Sequence, residues 1–143
     1  MSSDVAQITA LVHSYGTLLD RGDVDAVTGL FEHATWRGDP HGPTLRGSAE
    51  VRPVYEQLLA ALGSLRTRHL LTNLTVAVDE EGSTASSHCY WTVLQNTEPG
   101  AAIDITLAGQ YSDRFEKVDG AWRFADRLIT TDLIGNATLP AAD

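Results

Sequence analysis

The chain has 143 residues, of which 43% are hydrophobic, and this suits one compact domain over residues 1–143. A formal net charge of −9 argues against nucleic-acid binding, which needs clustered lysine and arginine, whereas the ten basic residues here are scattered. No apolar segment approaches the length of a membrane span, the beginning of the sequence does not resemble a signal peptide, and the single cysteine excludes an internal disulfide. We therefore expect a soluble cytoplasmic protein.

The first helix is predicted near residues 4–21. Asp4 and Gln7 have the spacing of a capping box, and Gly22 is placed to end the helix. Apolar side chains recur at the three- and four-residue spacing of one helical face, at Val5, Ile8, Leu11, Val12, Tyr15, Leu18 and Leu19. This stripe predicts that one face of the helix packs against the rest of the molecule.

Two more helices are predicted near residues 23–31 and 48–63. Asp23 is the expected cap of the second helix and Ser48 that of the third, although Pro53 disfavours a regular helix in the first turns of the third. Between them, "HATWRG" favours a short strand and "DPHGPTLRG" a loop or a ragged hairpin.

A mainly antiparallel sheet is predicted from residue 68 to about 132. Four segments there are rich in β-branched and aromatic residues and are separated by turn signals, and they cover residues 68–78, 84–96, 103–118 and 121–131. The junction "VDGAW" is the strongest hairpin signal, and Gly109 is expected at a bend or bulge. Helices followed by an antiparallel meander predict an α+β fold, with an apolar pocket between the helices and a curved sheet. The tail over residues 133–143 is expected to be peripheral.

Strand alternation gives the segment "SSHCYWTVL" two chemically different faces. His88, Tyr90 and Thr92 share one face, which is expected to line a pocket with polar spots. Cys89, Trp91 and Val93 share the other, which suits a packed core or an interface, and we expect a homodimer through an outer sheet face that carries Trp91. A histidine satisfied by its structural neighbours is the favoured alternative for His88.

Motifs for several reaction classes are missing from the sequence. There is no HExxH pair, no glycine-rich phosphate loop, no GxSxG elbow and no nucleotide fingerprint, so acid–base chemistry is what remains. Asp20 lies at the end of the first helix, off the centre of its apolar stripe, Tyr15 lies near the middle of that stripe, and His69 begins a strand. From the residues alone, a surface aspartate, a core tyrosine and a strand-end histidine are the favoured interpretations.

Three segments resemble signatures of SnoaL-like proteins in the nuclear-transport-factor-2-like superfamily. They are "YGTLLDRGDVDAVTGLF", "RTRHLLTN" and "GQYSDRFEKVDGAWRFADRLI", and the resemblance extends from about Asp4 to Asp132. It implies a cone-shaped α+β fold in which a curved, mainly antiparallel sheet wraps around three helices and a deep pocket. Many members are homodimers.

Within that superfamily the chain is similar to scytalone dehydratase, bile-acid 7α-dehydratase and lindane dehydrochlorinase. This similarity implies a cofactor-independent lyase with His69 and Asp20 as its catalytic pair and Tyr15 as a pocket donor. It implies a small hydrophobic or polycyclic hydroxy-carbonyl substrate and no metal. The candidates for contact with the substrate are His88 and Tyr90, from the strand alternation above, together with Trp36 and Arg127.

The sequence also departs from scytalone dehydratase. Leu19 and Leu94 stand where that enzyme has a tyrosine and a second pocket histidine, and its serine and asparagine fall near Gly109 and Tyr111. An isomerase, an aldol cyclase, a noncatalytic small-molecule binder and a dimeric scaffold therefore stay open as alternatives.

Overall fold

The computed structural model describes residues 3–62, 66–96 and 98–135. The helices are α1 (Asp4–Asp20), α2 (Val24–Gly29) and α3 (Gly47–Leu62). The strands are β1 (Thr35–Arg37), β2 (Leu45–Arg46), β3 (Thr67–Val78), β4 (Thr84–Asn96), β5 (Ile103–Val118) and β6 (Ala121–Ile134). The predicted α+β class and the order of helices before sheet are confirmed. The predicted tail lies outside the described residues from position 136 onward, and its first two residues belong to β6.

The N-terminal cap of helix α1 lies one residue earlier than predicted. The Ser3 hydroxyl accepts a hydrogen bond from the Ala6 amide at 3.1 Å, so the expected capping box of Asp4 and Gln7 is wrong. Because Ser3 already caps the helix, the Asp4 carboxylate is free to accept hydrogen bonds from the sheet. Gly22 follows the helix with a φ of 72°, in the left-handed conformation expected of a residue that ends a helix.

The other two helices begin in different ways. Asp23 caps α2 as predicted, because its carboxylate accepts from the Ala26 amide at 3.0 Å, although the helix ends at Gly29 rather than at residue 31. Ser48 does not cap α3: its hydroxyl pairs with the Glu32 carboxylate, and the helix begins at Gly47. Pro53 lies inside α3 without ending it.

The six strands form one sheet in the order β2-β1-β6-β5-β4-β3. Strands β1 and β6 are parallel, and every other neighbouring pair is antiparallel. Strands β4 and β5 begin and end at the predicted residues. The turn between β5 and β6 has Asp119 and Gly120 at φ values of 52° and 82°, which is the type I′ geometry that "VDGAW" predicted.

Bulges curve the sheet where the register between strands shifts. One lies in β3 between Thr72 and Thr75, where Asn73 has a φ of 56°, and another lies beside Gly109. An added Cβ on Gly109 would lie 1.9 Å from the Thr130 carbonyl oxygen and 2.7 Å from the Trp91 ring. The predicted bend at Gly109 is therefore present, and only glycine fits there.

The inner face of the sheet packs against the helices. Cys89, Trp91 and Val93 are buried on this face, and the Trp91 ring stacks on Tyr111 with 5.8 Å between ring centroids. The expectation that Trp91 lies on an outer sheet face is wrong. Alternation along β4 separates two faces, but the packing of the helices decides which of them points inward.

The outer face carries an apolar row that crosses four strands. The register pairs Leu70 with Thr92, Thr92 with Ala108, and Ala108 with Leu133. Leu70 is 42% exposed and Leu133 is 68% exposed. Such a row is costly to leave in water and suits burial between two copies of a sheet.

No helix among the described residues is long and apolar enough to cross a membrane.

The homodimer therefore stays a prediction, now placed on this row. We expect light scattering to give the mass of two chains at micromolar concentration, and the double substitution Leu70→Lys with Leu133→Lys to give the mass of one, because two facing rows of lysine repel each other. Val5→Lys, on an exposed residue of α1, is the matched control and should leave the dimer intact. A monomeric wild type would contradict the prediction.

Candidate active site

Asp20 and His69 are in direct contact at the junction of α1 and β3. The Asp20 carboxylate accepts from His69 Nδ1 at 2.6 Å, from the His69 backbone amide at 2.9 Å and from the Thr67 hydroxyl at 2.8 Å. The side chains of His69 and Asp20 are only 9% and 13% exposed. The predicted contact between these two residues is confirmed, and Thr67 is a third member that sequence reasoning missed.

Local geometry explains why these side chains meet. Gly16 and Asp20 are four residues apart and therefore share the face of α1 that packs on β3, while Thr67 and His69 are two apart and share one face of β3. The absence of a side chain at Gly16 allows the close approach, because an added Cβ would lie 3.3 Å from His69 Cβ. Helix and strand thus fix the pair from two sides.

The electrostatics of Asp20 favour its charged form. Burial raises the pKa of this carboxyl, but the hydrogen bonds from the His69 ring, the His69 amide and the Thr67 hydroxyl outweigh it, and the net pKa is lowered. Because an ionised carboxylate can only accept, His69 Nδ1 carries the proton and Nε2 is left as the basic nitrogen. No described residue forms a hydrogen bond with Nε2, so this atom is available to a substrate.

The pair borders a groove of about 740 Å³ between α1 and β3. Most of the lining is polar, with His13, Thr17 and Arg21 on the helix side and Arg66, Arg68 and Leu71 on the strand side. The expectation of an apolar pocket is wrong for this groove. Within the described ranges, no group of three or more His, Cys, Asp or Glu side chains could share a metal ion.

Tyr15 borders His69 but does not line the groove. Its ring centroid lies 6.5 Å from that of His69, yet its hydroxyl lies 2.9 Å from the Tyr55 hydroxyl inside the core. The prediction that Tyr15 presents a donor to the same cavity is therefore wrong. The middle of the apolar stripe of α1 faces the core, whereas Asp20, off its centre, reaches the groove.

Trp36 and Arg127 also lie in the core and do not line this groove, so their expected contact with substrate stays a prediction. Trp36 Nε1 donates to the Tyr55 hydroxyl at 3.1 Å. The fully buried Arg127 guanidinium forms two hydrogen bonds with Asp113, of 2.7 and 2.8 Å. Both residues lie on the inner face of the sheet under the helices, where packing leaves no access to the groove.

The buried Arg127–Asp113 pair is surrounded by aromatic rings. The guanidinium carbon lies 4.0 Å from the centroid of Tyr111, 4.3 Å from that of Tyr15 and 4.9 Å from that of Phe124. Burial alone would lower the pKa of Arg127, but the charge and hydrogen bonds of Asp113 reverse this, and the pKa is raised. The sequence did contain a signal for a buried charge here, because strand alternation places Asp113 on the inward face of β5 between Tyr111 and Phe115.

His88 and Tyr90 lie on the outer face of the sheet, away from the groove, so their predicted place in the pocket is wrong. His88 Nε2 lies 2.7 Å from Gln110 Oε1, and the Gln110 amide donates to Asp132 at 2.7 Å. Tyr90 is 46% exposed beside the His88 ring. The structural interpretation of His88, a histidine satisfied by its neighbours, fits this arrangement.

Comparisons with known proteins agree with this fold. Residues 1–128 match the model of the SnoaL-like domain. A variant of Rv3472, a protein of unknown function from Mycobacterium tuberculosis, is 30% identical with a TM-score of 0.73, and the match covers 90% of this chain and 71% of that one. Among curated proteins, no significant match is found.

Two solved structures with lower identity share the fold alone. Aln2 from a Streptomyces species has a TM-score of 0.78 at 20% identity, and the match covers 92% of this chain and 93% of that one. A candidate scytalone dehydratase from Novosphingobium aromaticivorans has a TM-score of 0.74 at 23% identity, with 96% and 89% covered.

Proposed function

Because the chain belongs to the SnoaL-like domain family, we propose that it is a cofactor-independent lyase of the dehydratase type, acting on a small hydroxy-carbonyl compound. The observation that carries this proposal is the 2.6 Å contact between Asp20 and His69 Nδ1 beside an open groove. It leaves Nε2 as a base whose conjugate acid is stabilised by a carboxylate. The similarity in fold to a candidate scytalone dehydratase supports the same reaction class.

The proposed reaction is an elimination of water in two steps. His69 Nε2 takes the proton from the carbon next to the carbonyl, and the electrons of that C–H bond form an enolate. The electrons of the enolate then form the carbon–carbon double bond as the C–O bond to the neighbouring hydroxyl breaks. The imidazolium returns its proton to the leaving hydroxide, and water departs. Asp20 stays ionised throughout and stabilises the imidazolium between the steps.

The same pair could direct the enolate into isomerisation or into an aldol cyclisation. These reactions share the proton abstraction and differ only in where the enolate electrons go next. Mass spectrometry of the products separates them, because dehydration alone removes the mass of water. The proton-abstracting role of His69 is common to all three.

The test is a screen of β-hydroxy ketones, with one and with several rings, for loss of water. For any substrate that the wild type converts, His69→Ala should lower kcat/KM by about 10²–10⁴-fold, because it removes the only base in the mechanism. Circular dichroism should show an unchanged fold. His88→Ala removes a histidine from the opposite face of the sheet and should keep the wild-type rate. Turnover by His69→Ala close to that of the wild type would refute the proposed role.

A further inference from the structure

Two histidines border the groove, one on each wall. His69 lies on β3, and His13 lies near the middle of α1. His13 is exposed, and its ring forms no hydrogen bond with any residue in the described ranges 3–62, 66–96 and 98–135. The mechanism proposed above uses His69 alone. A second imidazole beside the same groove therefore has no role so far.

Helix periodicity places His13 on the same face of α1 as Asp20. The two residues are seven apart, which is close to two turns, and Gly16 lies between them, three residues from one and four from the other. His69 packs against this face at Gly16, where an added Cβ would lie 3.3 Å from His69 Cβ. Along the helix axis, Asp20 and His13 therefore lie on opposite sides of His69.

The separation of the two imidazoles suits one small molecule between them. Cβ atoms three residues apart on a helix are about 5–6 Å from each other. Given the close approach at Gly16, the Cβ atoms of His13 and His69 lie within about 9 Å of each other. Because His69 Nδ1 is bonded to Asp20, its Nε2 is directed away from that carboxylate, on the side where His13 lies.

We propose that His13 is the general acid of this site and protonates the hydroxyl that leaves. This role rests on the proposed function. His69 Nε2 takes the proton from the carbon next to the carbonyl. As the enolate electrons form the double bond, the electron pair of the C–O bond goes to the oxygen, which takes a proton from the protonated ring of His13. Water departs, His13 regains a proton from solvent and His69 releases one to it.

Dividing the two proton transfers removes a geometric restriction. With His69 alone, one imidazole must take a proton from carbon and deliver it to oxygen on the same side of the substrate. With His13 on the helix wall, the hydroxyl can leave from the other side. The exposure of His13 suits an acid that is reloaded from water, whereas the nearly buried contact of His69 with Asp20 suits a base whose imidazolium needs a carboxylate.

A change of leaving group tests this role. Hydroxide needs a proton in order to leave, whereas acetate leaves as a stable anion, so a β-hydroxy ketone needs the acid and the corresponding β-acetoxy ketone does not. His13→Gln should lower kcat/KM for the β-hydroxy ketone by about 10²–10⁴-fold, the usual contribution of a general acid, and should leave kcat/KM for the β-acetoxy ketone nearly unchanged. His69→Ala should lower both values, because both compounds need the base.

His33→Gln is the matched control, because His33 is another exposed histidine and does not line the groove. Its kcat/KM for both compounds should equal that of the wild type. Glutamine favours helices, so His13→Gln should keep the fold. Equal losses for both leaving groups would make His13 a structural or binding residue and overturn the proposal. An unchanged rate with the β-hydroxy ketone would also overturn it, and would leave the lyase in place if His69→Ala is inactive.

A second measurement needs no turnover. Benzoylacetone carries two oxygens at the positions of the carbonyl and the hydroxyl of a β-hydroxy ketone, and nitrogen-15 shifts of the histidine rings report its binding. Changes at both His13 and His69, together with no conversion of any β-hydroxy ketone, would support the two-histidine site and count against the lyase. Changes at His69 alone would overturn the role of His13 and keep the base, and changes at neither would overturn both.

Discussion

Replacing Asp113 by alanine should lower the free energy of unfolding by about 3–5 kcal/mol, the usual loss when one partner of a buried ion pair is removed. The variant would leave the guanidinium of Arg127, which is fully buried, without its two hydrogen bonds. The surrounding rings of Tyr15, Tyr111 and Phe124 attract a cation but accept no hydrogen bond of comparable strength. Urea denaturation followed by tryptophan fluorescence measures the change.

Two comparisons test whether the buried charge is the cause. The double variant Asp113→Leu with Arg127→Met removes both charges. Its free energy of unfolding should fall clearly less than that of Asp113→Ala. Arg123→Gln breaks the half-exposed pair with Glu116 and should change stability by less than about 1 kcal/mol. A loss below about 1 kcal/mol for Asp113→Ala would show that Arg127 finds another partner or reaches water.

Asp20→Asn should lower turnover by about 10⁴-fold while the fold is kept, as expected when a catalytic histidine loses the carboxylate that orients it. The amide can turn its NH₂ group toward His69 Nδ1, which moves the ring proton to Nε2 and removes the base. It also removes the negative charge that stabilises imidazolium. Nitrogen-15 chemical shifts of His69 report the change of tautomer directly and need no substrate.

Asp23→Asn is the matched control for this variant. Asp23 is a carboxylate three residues further on that caps α2, and asparagine caps a helix equally well, so both activity and the His69 shifts should stay unchanged. An Asp20→Asn variant that keeps the Nδ1–H tautomer and the wild-type rate would refute the orienting role of Asp20.

The lowered pKa of Asp20 also fixes the pH dependence of this contact. Because the pKa is lower in the folded chain than in the unfolded one, the stabilisation is complete above the ordinary carboxyl range near about pH 4 and is lost as the pH falls through the lowered value. A decline in activity well above that range therefore has a cause other than protonation of Asp20. Measuring the reaction rate and the free energy of unfolding over the same pH values distinguishes protonation of Asp20 from another cause.

Local signals in the sequence predicted most of the fold. The bounds of β4 and β5 and the turn at Asp119–Gly120 depend on residue types within a few positions, so the pattern alone was sufficient. The orientation of β4 was not predicted, because two alternating faces look equally possible until the helices are placed. The helices pack on the face of β4 that carries Trp91, so Trp91 lies in the core and His88 lies on the outer face.

The site was predicted only in part, for a similar reason. The contact between Asp20 and His69 followed from the resemblance to SnoaL-like proteins, not from spacing, since 49 residues separate the two. Tyr15 was placed in the cavity although its position on the apolar stripe pointed to the core. The groove arginines were missed because a charged side chain is usually a solvated surface residue, and only the folded chain shows that Arg21, Arg66 and Arg68 border the same groove.

The hydrogen bonds of Asp4 have a consequence for the order of events on the ribosome. Its carboxylate, in the first turn of α1, accepts from Lys117 and Trp122 on either side of the β5–β6 turn, so this contact joins parts of the chain 113 and 118 residues apart. At a synthesis rate of about 5–20 residues per second, roughly 6–24 s pass between the synthesis of the start of α1 and that of the β5–β6 hairpin. A nascent chain therefore leaves the apolar side of α1 partly uncovered until the β5–β6 hairpin has been synthesised, and any chaperone assistance is needed most in that interval.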